Sequence, residues 1–247
     1  MEPHGKGAAP PTQPQGRRTV ECADALTWLA ARETLEGCSV ITSLPDASEF
    51  PALSLAEWKQ WFIRSAVLVM AKVPAQGVAL FYQTDVKKDG AWVDKGYLIS
   101  RAAEEAGCEA LWHKVVCRAA PGSITFGRPA YSHLLCFSRA VRVELSRATP
   151  DVLPAAGEVT WTRGMGVQAC LAACRFVLEH TLTRVVVDPF CGHGTVLAVA
   201  NALGLDAVGV ELSRKRAKKA RALRATFEAG TLRLAGAPAD LDPPDSD

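Results

Sequence analysis

The 247-residue chain has no CxxC pair among its eight cysteines, few methionines and tyrosines, and almost no excess of charge, with 28 Lys and Arg against 26 Asp and Glu. Without CxxC spacing a zinc site has no signature. Most of the cysteines sit inside apolar runs, which points to buried, reduced thiols rather than a disulfide framework. A net charge of +2 excludes a histone-like basic binder and an acidic disordered protein, but not a local basic patch. No run approaches the roughly 18 apolar residues of a membrane helix. The opening MEPHGKGAAPPTQPQGRR lacks the apolar core and cleavage pattern of a signal peptide, so the reading is an intracellular protein with no membrane partner. Neither G-x-G-x-x-G nor G-x-x-x-x-G-K-[ST] is present, which disfavours NAD, FAD and P-loop nucleotide binding.

What is present is 49% apolar residues, enough for a sizeable core, in a length suited to one decorated α/β domain. Residues 1–18 hold four Pro and three Gly and almost nothing apolar, and residues 237–247 hold three Pro and four Asp. Both tails are expected to be disordered, leaving a single domain over 19–236. Between them strand-like and helix-like stretches alternate, the pattern of a parallel sheet with crossover helices. Strands are predicted at Thr19–Cys22, Ser39–Thr42, Val78–Gln83, Ala110–Cys117, Ser132–Phe137, Arg184–Val187 and Ala207–Val210. Helices are predicted at Ala25–Arg32, Leu55–Lys72, Lys95–Ala106, Val167–His180, Thr195–Leu203 and Ser213–Phe227. In the helix at Val167 the apolar residues recur at i, i+3, i+4 and i+7, which turns Cys170 and Cys174 to the core.

The informative stretch runs from Arg184 to Glu211, RVVVDPFCGHGTVLAVANALGLDAVGVE. A β-branched run makes a buried strand. It ends at Asp188, and a loop with Gly192 and Gly194 follows, where a bare backbone can turn tightly and approach a ligand. Thr195 suits a helix start. A second strand then ends at Glu211, an acid placed to take both hydroxyls of a ribose. Cys191 in the loop reads as packing, since no partner base is evident.

This stretch resembles motifs I and II of class I S-adenosylmethionine-dependent methyltransferases. The form DPF-C-G-x-G-T is most similar to the enzymes that methylate adenine N6 or cytosine N4 and to their RNA-modifying relatives. The resemblance implies S-adenosyl-L-methionine as cofactor, with Asp188, Phe190, Gly192, Gly194 and Thr195 on its methionine side and Glu211 on its ribose. It also implies a Rossmann-like class I methyltransferase sandwich with a seven-stranded, mostly parallel sheet. Motif I falls late in the chain, so the motif order is circularly permuted. Asp24 then takes the motif III position, as an acceptor for the adenine amino group. Thr162 and Met165 in GEVTWTRGM take the motif X position against the cofactor. Asp188 and Ser43–Asp46 are expected to converge in space.

The motif IV position reads Ser43-Leu44-Pro45-Asp46. The family pattern has a polar residue, two prolines and an aromatic, so here the first proline is lost and a carboxylate replaces the aromatic. Ser43, Pro45 and Asp46 are the expected catalytic residues, with Asp46 either handling a proton or capping the following turn. Only about twenty residues separate Ser138 from Gly157, too few for an independent recognition domain. That leaves substrate contact to Lys95, Arg128 and His133, with Lys87 and Lys88 as further flanking cations. The segment Pro121–Tyr131 reads as a lid or a surface connection. The seven basic residues of 214–224 read as a solvated helix face. The expectation is methyl transfer to a nucleic-acid base, most of all in RNA, with a partner subunit allowed and no metal. Methylation of DNA, protein or a small molecule is the alternative, as is an inactive cofactor-binding subunit.

Overall fold

The computed structural model describes residues 15–88, 90–161 and 163–236. In chain order the elements are β1 (Arg18–Glu21), α1 (Ala25–Ala30), β2 (Cys38–Thr42), α2 (Leu55–Lys72), β3 (Ala79–Gln83), β4 (Val86–Lys88), β5 (Ala91–Val93), α3 (Lys95–Glu105), β6 (Glu109–Cys117) and β7 (Tyr131–Ser138). They continue with β8 (Val152–Leu153), α4 (Val167–His180), β9 (Val185–Asp188), α5 (Thr195–Ala202), β10 (Asp206–Val210), α6 (Arg214–Ala222), β11 (Arg224–Glu228) and β12 (Thr231–Ala235).

The main sheet runs in the order β1-β10-β9-β2-β3-β7-β6-β8. Every neighbouring pair is parallel except the two that involve β7. Side chains alternate between its faces, as the pleat requires. Ile41, Leu80, Tyr82, Leu134, Cys136 and Val186 pack under α4, α5 and α6. Val40, Ala79, Phe81, Leu135, Phe137 and Val187 pack under α1, α2 and α3. Trp58 and Phe62 of α2 are fully buried in that second layer. Cys170 and Cys174 are buried in the first, as the helical spacing requires.

The permuted order is explicit in the pairing. β1, from the start of the chain, lies against β10, from its last third, with Val20 opposite Gly209. The chain leaves β9 toward β10 and leaves β2 toward β3, so the switch point of the sheet falls between β9 and β2.

Three expectations are corrected. The sheet has eight strands among the described residues, not seven, because the two-residue β8 pairs with Val115 and Val116 at the edge. Two residues carry no period to read. The helix expected over Ser213–Phe227 stops at Ala222. Residues 224–235 instead form an antiparallel hairpin that closes at Ala229 and Gly230, both at positive φ, and turns Ala225 and Leu232 into the core. The last residues of the expected helix, 224–227, are the first strand of this hairpin, whose turn lies just beyond them. Third, order begins before Thr19. The Gly16 N–H donates to the Asn201 carbonyl (3.1 Å), and the Arg17 side chain pairs with Asp206 (3.0 Å). The rest of the expected tails, 1–14 and 237–247, lies outside the described residues.

Ile41, fully buried at the centre of the sheet, and Leu182, 84% exposed, make a matched test of this burial. In urea denaturation Ile41→Ala is expected to cost about 2–5 kcal/mol, and Leu182→Ser no more than about 0.5 kcal/mol.

Candidate functional site

At the switch point a carboxyl is buried between two parallel strands. Asp188 ends β9 and is 4% exposed. Its Oδ1 accepts from the Thr42 hydroxyl of β2 (2.7 Å) and from the Phe190 N–H (3.1 Å). Burial pushes its pKa up to about 7; the two hydrogen bonds pull the other way, and nearby Glu211 adds to the rise. One strand over, Glu211 follows β10. Its Oε2 accepts from the Gly192 N–H (3.0 Å) and its Oε1 from the Ser213 N–H (2.8 Å). A carboxylate can accept about four hydrogen bonds, so Glu211 keeps capacity for ligand hydroxyls. Burial raises its pKa as well, against the pull of the Ser213 N–H and Arg216.

The loop between these acids depends on its glycines. Gly192 (φ +52°) and Gly194 (φ +82°) both take left-handed backbone. A Cβ on Gly194 would also stand 2.8 Å from the Ala220 Cα, so α6 can approach the loop only because that residue is glycine. Gly194 is the N-cap of α5, and Thr195 is its first helical residue. The Thr195 hydroxyl bonds that of Thr160 (3.2 Å). Burial pushes the Cys191 thiol up, in keeping with a packing role.

Above these strand ends lies a cavity of about 520 Å³. Asp24, Met165, Asp188, Phe190, Gly192, Thr195 and Glu211 line one part of it, and Ser43, Pro45, Asp46, Lys95 and Arg128 line another. Asp188 and the Ser43–Asp46 turn therefore converge, although they are far apart in sequence. Asp24 also caps α1, its Oδ1 accepting from the Thr27 N–H (2.8 Å). Thr162 lies outside the described residues. Gly194 faces α6 and does not line the cavity.

Two expectations about the acceptor side change. His133 is not on the cavity wall. Its Nε2 bonds the buried Asp85 (2.9 Å) and its Nδ1 bonds the exposed His113 (2.8 Å), so its ring is committed to a cluster away from the cavity. Asp85, Asp94 and His133 bring potential ligand atoms within 4.8 Å of one another. Asp85 is occupied there by hydrogen bonds from His133, the Lys95 N–H and Trp92. The basic helix is also not wholly outward. Arg216 of α6 lines the cavity and lies over the Trp161 ring, 4.8 Å from its centroid.

Asp46 is both a cap and an ion-pair partner. It forms a capping box with Glu49 around a single 3-10 turn. Its Oδ2 also meets Lys95 Nζ (2.8 Å) and Arg128 (3.2 Å). Burial pushes the Asp46 carboxyl up, but Lys95, its hydrogen bond and Arg128 outweigh that and hold it below the ordinary carboxylate range. A carboxylate so held is a weak proton acceptor.

The structure adds wall residues to which the sequence assigned no role. Phe50 and Trp61 sit tilted against each other at 4.4 Å on the Asp46 side. Trp161 and His193 pair at 5.5 Å on the glycine-loop side. Gln83, at the end of β3, is 1% exposed, lines the cavity, and its amide nitrogen has no hydrogen-bond partner. The period-2 pattern marked Gln83 only as a strand end. Its burial with an open donor is visible in three dimensions alone.

An open, mostly parallel sheet with one antiparallel strand, a glycine loop at the switch point and an acid after the next strand define the class I methyltransferase fold. Solved structures agree. TTHA0409 from Thermus thermophilus, assigned as a DNA modification methylase and solved with S-adenosyl-L-methionine, superposes with a TM-score of 0.62 at 20% identity, over 83% of this chain and 92% of that one. The cytosine-N4-specific PvuII DNA methyltransferase gives 0.61 at 17% identity, over 84% and 86%. M1.HpyAVI with S-adenosylmethionine gives 0.53 at 14% identity, over 83% and 97%. At such identities the likeness establishes the fold. No protein-family model and no curated protein matches the chain.

Two outcomes follow from the buried charges. The raised Asp188 pKa means that the folded chain holds a proton the unfolded chain releases between pH 3.8 and about 7. Stability from this group is complete at the acid end and is lost as pH rises through about 7. Asp188→Asn keeps the Oδ1 acceptor and removes the titration. In urea melts its stability relative to the native chain is expected to improve on going from below pH 4 to above pH 7; a constant difference would count against the buried charge. Separately, Asp46→Ala strands Lys95, whose side chain is 3% exposed, without its counter-charge. That is expected to cost about 3–5 kcal/mol, with partial recovery when Lys95→Met is added.

Proposed function

We propose that the chain is an S-adenosylmethionine-dependent methyltransferase acting on a nucleic-acid base. The observation that carries this is the continuous cavity joining the Asp188–Glu211 cradle to the Ser43–Asp46 turn. The residues present fit the cofactor. Glu211 has acceptor capacity for a ribose diol, Asp188 offers a buried negative charge to the cationic methionine end, and the Gly192 backbone leaves the approach open. Trp161, Met165 and Phe190 supply apolar wall, and Asp24 stands where the adenine amino group is expected. When bound, the cofactor supplies an electrophilic methyl group on its sulfonium.

The chain's own residues then hold the acceptor. Phe50 and Trp61 give an aromatic wall for a base, in place of the aromatic missing from the motif IV position. The Ser43 hydroxyl and the backbone around Pro45 offer acceptors to a base donor, and Gln83 offers an amide to the ring edge. Asp46 fixes Lys95 and Arg128 rather than taking a proton. Rate enhancement rests on orientation of the acceptor against the methyl group.

The neighbours named for DNA methylation favour DNA over the RNA expected from sequence. Methyl transfer from tritiated S-adenosylmethionine to single-stranded DNA, duplex DNA and RNA compares these acceptors. Absence of transfer to all of them would falsify the proposal. In the same assay Gln83→Leu is expected to raise KM for the nucleic acid by about 5- to 150-fold, the loss of a hydrogen bond of about 1–3 kcal/mol. Cofactor affinity is expected to hold. Fold stability is expected to hold or rise, because an unpartnered buried donor is removed.

A further inference from the structure

The rim of the cavity beyond Arg118 and Arg128 carries exposed apolar side chains, and these are joined by backbone bonds into one surface. Ile124 and Phe126, on the segment between β6 and β7, are 84% and 91% exposed. The base of that segment is closed by the Arg118 N–H donating to the Ala130 carbonyl (2.7 Å). Its outer part is tied to the β4–β5 hairpin by the Lys87 N–H donating to the Gly127 carbonyl (2.7 Å). On that hairpin Lys87 stands opposite Trp92, which is 49% exposed. Arg118 and Arg128 belong to the cavity wall, so the surface is continuous with the acceptor part of the site. The counter-charges nearby are Asp46, which pairs with Arg128 (3.2 Å), Asp85, which accepts from the Trp92 indole N–H (3.2 Å), and Asp94, which caps α3 through the Tyr97 N–H (2.8 Å).

One exposed apolar side chain on a surface is ordinary. Here an aromatic that is almost wholly in water stands among Lys87, Lys88, Arg118 and Arg128. Depletion of charge marks the core of a protein-binding patch, whereas aromatics interleaved with cations mark a platform for unpaired nucleic acid. We propose that this rim binds the unpaired strand flanking the target nucleotide. Phe126 stacks on a neighbouring base, and Lys87, Lys88 and Arg118 meet its phosphates. The inference rests on the methyltransferase reading of the cavity and adds to it where the strand runs and in what state.

The test is fluorescence anisotropy of the full chain with labelled strands of about 12 nucleotides, a length within the usual site size of single-strand-binding folds, as single-stranded DNA, single-stranded RNA and duplex DNA. Single strands are expected to bind more tightly than the duplex. Phe126→Ala is expected to weaken single-strand binding by about 5- to 150-fold, the effect of losing one base stack. Lys87→Ala with Lys88→Ala is expected to flatten the dependence of log K on log salt by about 0.7 for each phosphate that is no longer neutralised. S-adenosylmethionine binding, measured by calorimetry, is expected to be unchanged in both variants. If the native chain binds the cofactor but Phe126→Ala binds strands as well as the native chain does, the platform is wrong and the methyltransferase reading stands. Tighter binding to duplex, or binding to no oligonucleotide, overturns the platform in the same way. If the native chain does not bind the cofactor, the methyltransferase reading itself fails.

Discussion

The hydrogen bond from Thr42 to Asp188 spans the seam on which the architecture turns. β2 and β9 are neighbours in the sheet, yet the segments that carry them lie far apart in sequence. On one side of the seam the chain runs on to β10 and the acid at Glu211. On the other it runs on to β3 and the cavity wall at Gln83. The cavity exists because the connections leave these two strands in opposite directions and open a crevice above their carboxyl ends. A carboxyl at the floor of that crevice is stripped of water, which makes its charged form costly and pushes its pKa up to about 7.

The second organising feature is the charge cluster around Asp46. Where the resemblance implies an aromatic, this chain has a carboxylate, and the structure gives it two cations and a turn to cap. The aromatic surface is regained from elsewhere, by Phe50 after the turn and Trp61 on α2. The cluster also joins three loops, because Lys95 starts α3 and Arg128 sits on the segment between β6 and β7. Loss of activity on substituting Asp46 therefore does not by itself assign a chemical step to it.

Most of the fold was legible because its signals are local and strong. The Val185–Val187 run, the glycines at 192 and 194 and the acid at 211 fall within one short stretch, and the permutation followed from its late position. Residues that failed the reading did so for reasons of distance. His133 looked like a substrate contact because it sits near a strand end, but its ring is committed to Asp85 and His113, which come from other elements. Arg216 looked solvated because its helix is rich in basic residues, and only the packing of α6 on the glycine loop brings it to the cavity. Gln83 has no motif around it, and Trp161 and His193 lie within the motif X and motif I stretches at positions whose residue type carries no signal. The helix read through residue 227 ends at Ala222, because residues 224–228 pair with 231–235 across the turn at Ala229 and Gly230, just past the stretch that read as helix.

The pairing of β1 with β10 has a consequence for how the molecule is made. β9 and β10, which stand between β1 and β2 in the sheet, come from the last third of the chain, while β1 and β2 come from its first fifth. During synthesis β1 and β2 emerge with the inner edges of both still bare, and no local partner can cover them. The mean sequence separation of contacts is correspondingly large, which slows folding. The nascent chain therefore carries two open strand edges until β9 and β10 slot between them, so the floor of the cavity forms only after both of its walls have been made.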